Sequence, residues 1–103
     1  MLRKMKSFNE RCYELLKRVP KGKVTTYKEI ASALNSKAYR AVGNAMKKNK
    51  HAPEIPCYRV VNNDGKIGGY ASGTEKKIKL LKKEGVKIVD GKIDSSKYLF
   101  IFR

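Results

Sequence analysis

Two helix-opening signals nineteen residues apart set the scale of what this chain can build. Ser7-Phe8-Asn9-Glu10 and Thr26-Tyr27-Lys28-Glu29 each place a hydroxyl three residues ahead of a carboxylate, a pairing that satisfies the first free backbone N–H groups of a helix. Between them Pro20 and Gly22 end whatever the first signal opens, because both residues are poor helix formers. The chain is thus committed to short helices with hard ends. In the first, Phe8, Cys12, Leu15, Leu16 and Val19 recur at helical spacing, which reads Cys12 as a buried core residue. The second, over residues 27–35, turns Ile30, Ala33 and Leu34 inward. Asn35-Ser36 makes a turn, and a third helix over 37–49 carries Val42 and Met46 as an i,i+4 core pair. Two short helices about a tight turn, over roughly 26–48, predict a helix-turn-helix.

The remainder reads as smaller pieces. "KHAPEIP" is a loop with two prolines. "YRVV" is a short apolar strand, followed by an Asn/Asp/Gly turn and a glycine-rich loop. "TEKKIKLLKKEG" is a fourth helix with Ile78 and Leu81 inward, five lysines outward and Gly85 as its stop. "VKIVDGKID" predicts a hairpin about Asp90-Gly91, and "YLFIFR" is a strand or an apolar tail. With 103 residues and no linker or repeat, the expectation is one domain over 1–103, mainly α with a small β element.

Charge narrows the partner. Twenty-five Lys and Arg against nine Asp and Glu give a formal charge of +16, which favours an anionic partner, nucleic acid ahead of a membrane surface. No apolar run is long enough to span a bilayer, and the first residues have no signal-peptide core. Cys12 and Cys57 have no paired spacing, and with the single His51 they make no zinc pattern. The expectation is a cytoplasmic protein with free thiols and no metal or other cofactor.

"IPCYRVV" sharpens the function. A cysteine meant to react needs its thiolate favoured and a route for its substrate. Together with "VTTYKEIA", "RAVGNAM", "KKN", "GGYASG" and "LLKKEG", in this order from about Phe8 to Glu84, it resembles the DNA-binding and active-site domain of the O6-alkylguanine-DNA alkyltransferases. The resemblance implies a winged helix-turn-helix-like fold and a single-turnover reaction. A guanine carrying an O6-alkyl group is flipped from double-stranded DNA, bound through its minor groove, and its alkyl group passes to a cysteine of a monomeric protein. Cys57 matches the alkyl acceptor. Tyr27 matches the tyrosine that helps flip the nucleotide and hydrogen-bonds the leaving guanine. Arg40 matches the arginine that fills the gap in the base stack. Asn49, eight residues before Cys57, matches the asparagine ordering the active-site turn. Arg59 and Val60 match the arginine and valine after the cysteine, the valine carbonyl facing the guanine edge. Tyr70 matches the tyrosine walling the pocket, and Glu84, fourteen residues on, matches the relay glutamate. Ala41, Gly43 and Ala45 are small enough for a helix to approach a minor groove.

The chain departs from that pattern at Tyr58, where the family has the histidine that serves as base for the thiol. A tyrosine ionises about 3.5 pH units higher than a histidine, and no cation is evident beside it, so the expectation is slower transfer, or a rearranged relay in which Tyr58 passes a proton toward Glu84. His51 reads as a solvated loop residue. Ala71 stands where many members have a serine, with Ser72 beside it. The length and the stretch "GKIDSSKYLF" are closer to the short alkyltransferase-like proteins, which bind alkylguanine and recruit other repair proteins, having another residue in place of the cysteine. A damage sensor of that kind is the alternative. A plain helix-turn-helix regulator fits less well, since it needs no such pocket.

Overall fold

The computed structural model describes residues 6–52, 54–70 and 73–102. These form five α-helices, Phe8–Arg18 (α1), Tyr27–Ala33 (α2), Tyr39–Lys47 (α3), Thr74–Lys83 (α4) and Ser95–Tyr98 (α5). A 3-10 turn spans Cys57–Arg59, and two short strands, Thr25–Thr26 (β1) and Val60–Val61 (β2), pair in parallel with Thr25 opposite Val60. Both expected helix starts are made as their residues dictate. Ser7 and Glu10 exchange side-chain-to-backbone hydrogen bonds at the head of α1, and the Thr26 hydroxyl accepts from the Glu29 N–H at 3.1 Å.

The strand pair divides the interior. Side chains alternate across a strand, so Val60 packs with α1, α2 and α3 in one cluster, while Val61 packs with α4 and the C-terminal segment in a second. Cys57 joins the first cluster and Tyr58 the second. The Cys57–Arg59 turn is thereby held between two cores. The expected Asp90-Gly91 turn forms: Val89 and Lys92 exchange backbone hydrogen bonds of 2.9 and 3.0 Å. Asp90 and Gly91 both have positive φ, 52° and 72°, the conformation such a two-residue turn needs.

Several expectations are corrected. α3 begins at Tyr39 rather than Lys37, since Ala38 offers no side-chain cap. In α2 the inward alanine is Ala31, fully buried, while Ala33 is exposed. Ala45 is buried with Val42 and Met46 and is not on the outer face of α3. The last segment adds α5, capped by Asp94. Beyond it Phe100 donates to the Val24 carbonyl at 2.7 Å, and Phe100 and Phe102 pack on the first cluster. Of the five lysines expected outside on α4, Lys77 is fully buried. Ala71 and Ser72 lie outside the described residues.

Candidate active site

Cys57 opens the 3-10 turn and is 5% exposed. It lies in the wall of a cavity of about 540 Å³, with Tyr27 from α2, Gly43, Met46 and Lys47 from α3, and Gly69 and Tyr70 from the glycine-rich loop. A Cβ added to Gly43 or Gly69 would meet nothing within 4 Å, so these glycines leave the cavity wide. A second, shallower recess is lined by Tyr27, Tyr39, Arg40, Gly43, Asn62 and Asn63. The two share Tyr27 and Gly43. Exposed Arg40 therefore stands next to the mouth of the cysteine cavity, on a face of α3 that also carries Gly43 and Lys47. Ala41 is half-buried.

Asn49 orders the approach to the turn. It is buried, its side-chain N–H donates to the Ile55 carbonyl at 2.8 Å, and its oxygen accepts from the His51 N–H at 2.9 Å. These bonds tie His51 and Ile55 to the end of α3, just ahead of Pro56 and Cys57. The His51 side chain is exposed.

Tyr58 and Glu84 meet, but as part of a clamp that also takes Arg59. The Tyr58 hydroxyl donates to Glu84 Oε2 at 2.5 Å. Arg59 grips the same carboxylate with Nε (3.0 Å) and Nη2 (2.6 Å), and its Nη1 donates to the Val19 carbonyl at 2.8 Å. The Gly22 N–H adds a further hydrogen bond to Glu84. Burial works against the Glu84 charge, but its bonds to Arg59 and Tyr58 outweigh that and hold the carboxyl below its usual range. Burial and the bond to Glu84 push the Tyr58 hydroxyl up to about 12. The cation not evident beside Tyr58 in the sequence is Arg59, 5.3 Å over the ring. Its guanidinium is bonded within the fold, to Glu84 and the Val19 carbonyl, and Arg59 lines neither recess. The Val60 carbonyl, expected to face a guanine edge, accepts from Lys77 Nζ at 2.7 Å.

Lys77 escaped the sequence reading. Besides Val60 it donates to the Gly69 carbonyl at 3.0 Å, tying the cavity wall to the cysteine segment. Its i,i+4 relation to Leu81 on the buried face of α4 was the available signal. Burial pulls its ammonium down to about 8, while the nearby Cys57 charge works in the other direction. Cys12 lies in the core at 0% exposure, its thiol pushed up to about 11 by burial. Among the described residues no His, Cys, Asp and Glu group could hold a metal ion, and no helix is long and apolar enough to cross a membrane.

Helices α2 and α3 form a helix-turn-helix, and α3 lines the cavity that holds the Cys57 thiol. Residues 7–86 match the family model described as "6-O-methylguanine DNA methyltransferase, DNA binding domain", and the chain belongs to that family. The methylated-DNA–protein-cysteine methyltransferase of Thermococcus kodakarensis is 52% identical over 81 residues, covering 78% of this chain and 45% of that protein. A bifunctional methyltransferase/endonuclease of Picrophilus torridus is 44% identical over 89 residues, covering 85% and 30%. The chain thus spans half or less of the length of these curated relatives. The crystal structure of S. pombe Atl1 in complex with damaged DNA containing O6-carboxymethylguanine superposes with a TM-score of 0.83 at 30% identity, covering 95% of this chain and 98% of that one. The fold is the mainly helical, winged helix-turn-helix-like alkyltransferase domain.

Proposed function

We propose that the protein repairs O6-alkylguanine in double-stranded DNA by irreversible transfer of the alkyl group to Cys57. The observation that carries this reading is a cysteine in the wall of a cavity wide enough for a base, directly beside the outer face of a recognition helix. A stacked base must leave the duplex before a side chain reaches its O6 atom, and unstacking costs a few kcal/mol. Arg40 stands where it fills the vacated stack from the minor-groove side, with Ala41 and Gly43 allowing close approach. Tyr27, shared by both recesses, turns the nucleotide and donates to the leaving guanine. Tyr70 stacks on the base, and Asn49 keeps the turn in shape. The Cys57 thiol releases its proton to solvent, and the thiolate attacks the alkyl carbon. The S–C bond forms as the C–O6 bond breaks, and the guanine anion takes one proton back from solvent. The cysteine ends as a thioether, so each molecule acts once.

Intact-mass measurement after incubation with an O6-methylguanine duplex tests this: one methyl replaces one hydrogen, on the Cys57 peptide. The second reading, a sensor that binds the lesion and recruits other proteins, is favoured by the near end-to-end likeness to S. pombe Atl1. Binding with no mass gain at any pH would establish it.

With tyrosine at position 58 no imidazole takes the thiol proton, so transfer is slower than in a histidine-bearing relative and rises with pH. Tyr58 serves the clamp rather than the chemistry. Tyr58→Phe removes one charge-assisted bond to Glu84 and is expected to cost about 1.5–3 kcal/mol in urea unfolding. Its single-turnover transfer rate should stay near the parent's. A large rate loss in a folded Tyr58→Phe would restore the relay role.

Arg40→Ala should weaken binding to a damaged duplex by about tenfold, because it deletes the plug that offsets unstacking as well as one charge. Lys76→Ala, which removes one exposed α4 charge, should cost far less. Fluorescence titrations at one fixed salt concentration compare them, since affinity built on phosphate contacts falls steeply with salt. Equal losses would remove the plug role.

A further inference from the structure

Tyr39 is an aromatic side chain that the reaction as described leaves unused. Among the described residues the large apolar side chains left exposed are Tyr39, Val89 and Ile101, and Tyr39, 41% exposed, is the aromatic one. Its ring packs on neither core cluster. It opens α3 and lines the second recess, of about 350 Å³, beside Arg40, Asn62 and Asn63. Small residues let a helix approach a minor groove, which is only about 6 Å wide. A phenol on that same face holds the helix off the duplex unless the ring has somewhere to go. Proteins that work in this groove insert such side chains against unstacked bases.

We propose that the second recess holds the cytosine left without a partner when its guanine is flipped: the Tyr39 ring stacks on its face and the Asn63 carboxamide donates to its edge. The proposal rests on the flipping of O6-alkylguanine and not on the transfer that follows. The placement comes from what lies between the two recesses. Tyr27 and Gly43 border both, so a guanine entering the cysteine cavity leaves the duplex across them, and the second recess lies toward the gap it leaves. The base beside that gap is the former partner, the one base of the duplex whose pairing edge is open. An aromatic ring suits it, because every base offers a π-face for stacking. The edge then chooses between pyrimidines. Asn63 Oδ1 accepts from the Lys28 backbone N–H at 3.3 Å, so the carboxamide is tied by its oxygen and offers its N–H groups. A donor there meets the N3 acceptor of cytosine, whereas thymine presents an N–H at the same place. The recess thus favours a lesion paired with cytosine over one paired with thymine.

Binding is read in a Cys57→Ala background, so that no transfer intervenes, by fluorescence titration at one salt concentration. The duplexes carry O6-methylguanine opposite cytosine, opposite thymine or opposite an abasic site, with undamaged DNA alongside. Each variant is compared with the background on the same duplex, so the cost of opening that duplex cancels. Tyr39→Ala should weaken binding to the cytosine duplex about tenfold and leave the abasic duplex and undamaged DNA within about twofold of the background. Tyr39→Phe, which keeps the ring, should bind all of them as the background does. Asn63→Ala should reduce the preference for cytosine over thymine. An equal loss for Tyr39→Ala on the cytosine and abasic duplexes would mean that the ring rests on the sugar-phosphate backbone, and would overturn the proposal. Should Tyr39→Ala not fold, Tyr39→Leu makes the same comparison with the bulk kept and the ring removed. A background protein that binds the damaged duplexes no better than undamaged DNA would refute the flipping reading and the proposal with it. The expected binding pattern, together with no methyl gained by the parent protein, would refute transfer alone and keep the roles of Tyr39 and Asn63.

Discussion

A Cys57→Ala variant is expected to bind an O6-methylguanine duplex as well as the parent and to gain no mass from it under any conditions. The change is small structurally. Cys57 contributes one sulfur to the first core cluster, and its removal leaves a void smaller than a methylene pair, costing about 1 kcal/mol. Chemically it is total. The other thiol, Cys12, is enclosed in the core at 0% exposure with its ionisation raised to about 11, so it is neither reachable nor ionised. No base needs to be ejected when no bond is made, so the variant should hold the flipped guanine as a stable complex. Filter binding and intact mass, run in parallel, read both halves. A methylated Cys57→Ala would mean that another side chain accepts the alkyl group.

The helix-turn-helix and the members of the cavity were legible because each leaves a local mark. Ser7 and Thr26 are caps with their partners three residues on. Tyr27, Gly43, Cys57 and Tyr70 fall in motifs whose order carried the resemblance, and all four line one cavity. What could not be read has its cause in the backbone or in distant chain. The acceptors of Lys77 are two carbonyls, which no residue type announces, and a lysine in a lysine-rich helix reads as solvated. The bonds that tie Arg59 into the fold leave no local mark, because its guanidinium partners, Val19 and Glu84, are forty and twenty-five residues away. The strand Thr25–Thr26 is two residues long and exists only because Val60–Val61 lies beside it, so no alternation could reveal it. Ala45 was misjudged for the opposite reason: small residues on α3 fit a groove and a core equally well, and only packing decides.

The Arg59–Glu84 clamp carries the largest expected effect on stability. It joins the end of α1 through Val19, the loop at Gly22, the active-site turn through Tyr58 and Arg59, and the end of α4 through Glu84. The two charged side chains are 14% and 6% exposed. Arg59→Met keeps most of the stem but leaves the Glu84 carboxylate buried without its cation, which in such pairs costs about 3–5 kcal/mol. For a domain of this size that lowers the melting temperature by more than about 10 °C. Glu84→Gln, which keeps the shape and removes the charge, should also destabilise at neutral pH.

The pH dependence follows from the direction of each shift. Glu84 ionises below its ordinary 4.5 in the folded chain, so its contribution is present above that value and is lost as pH falls through the folded one. The stability gap between parent and Glu84→Gln should therefore close on acidification. Tyr58 is shifted the other way, to about 12 from 10, so its contribution is complete below pH 10 and disappears as pH climbs through about 12. Melting curves of the parent, Arg59→Met, Glu84→Gln and Tyr58→Phe across this range check both signs. If Arg59→Met melted with the parent at pH 7, or if the Glu84→Gln gap widened in acid, the clamp would not hold the active-site turn.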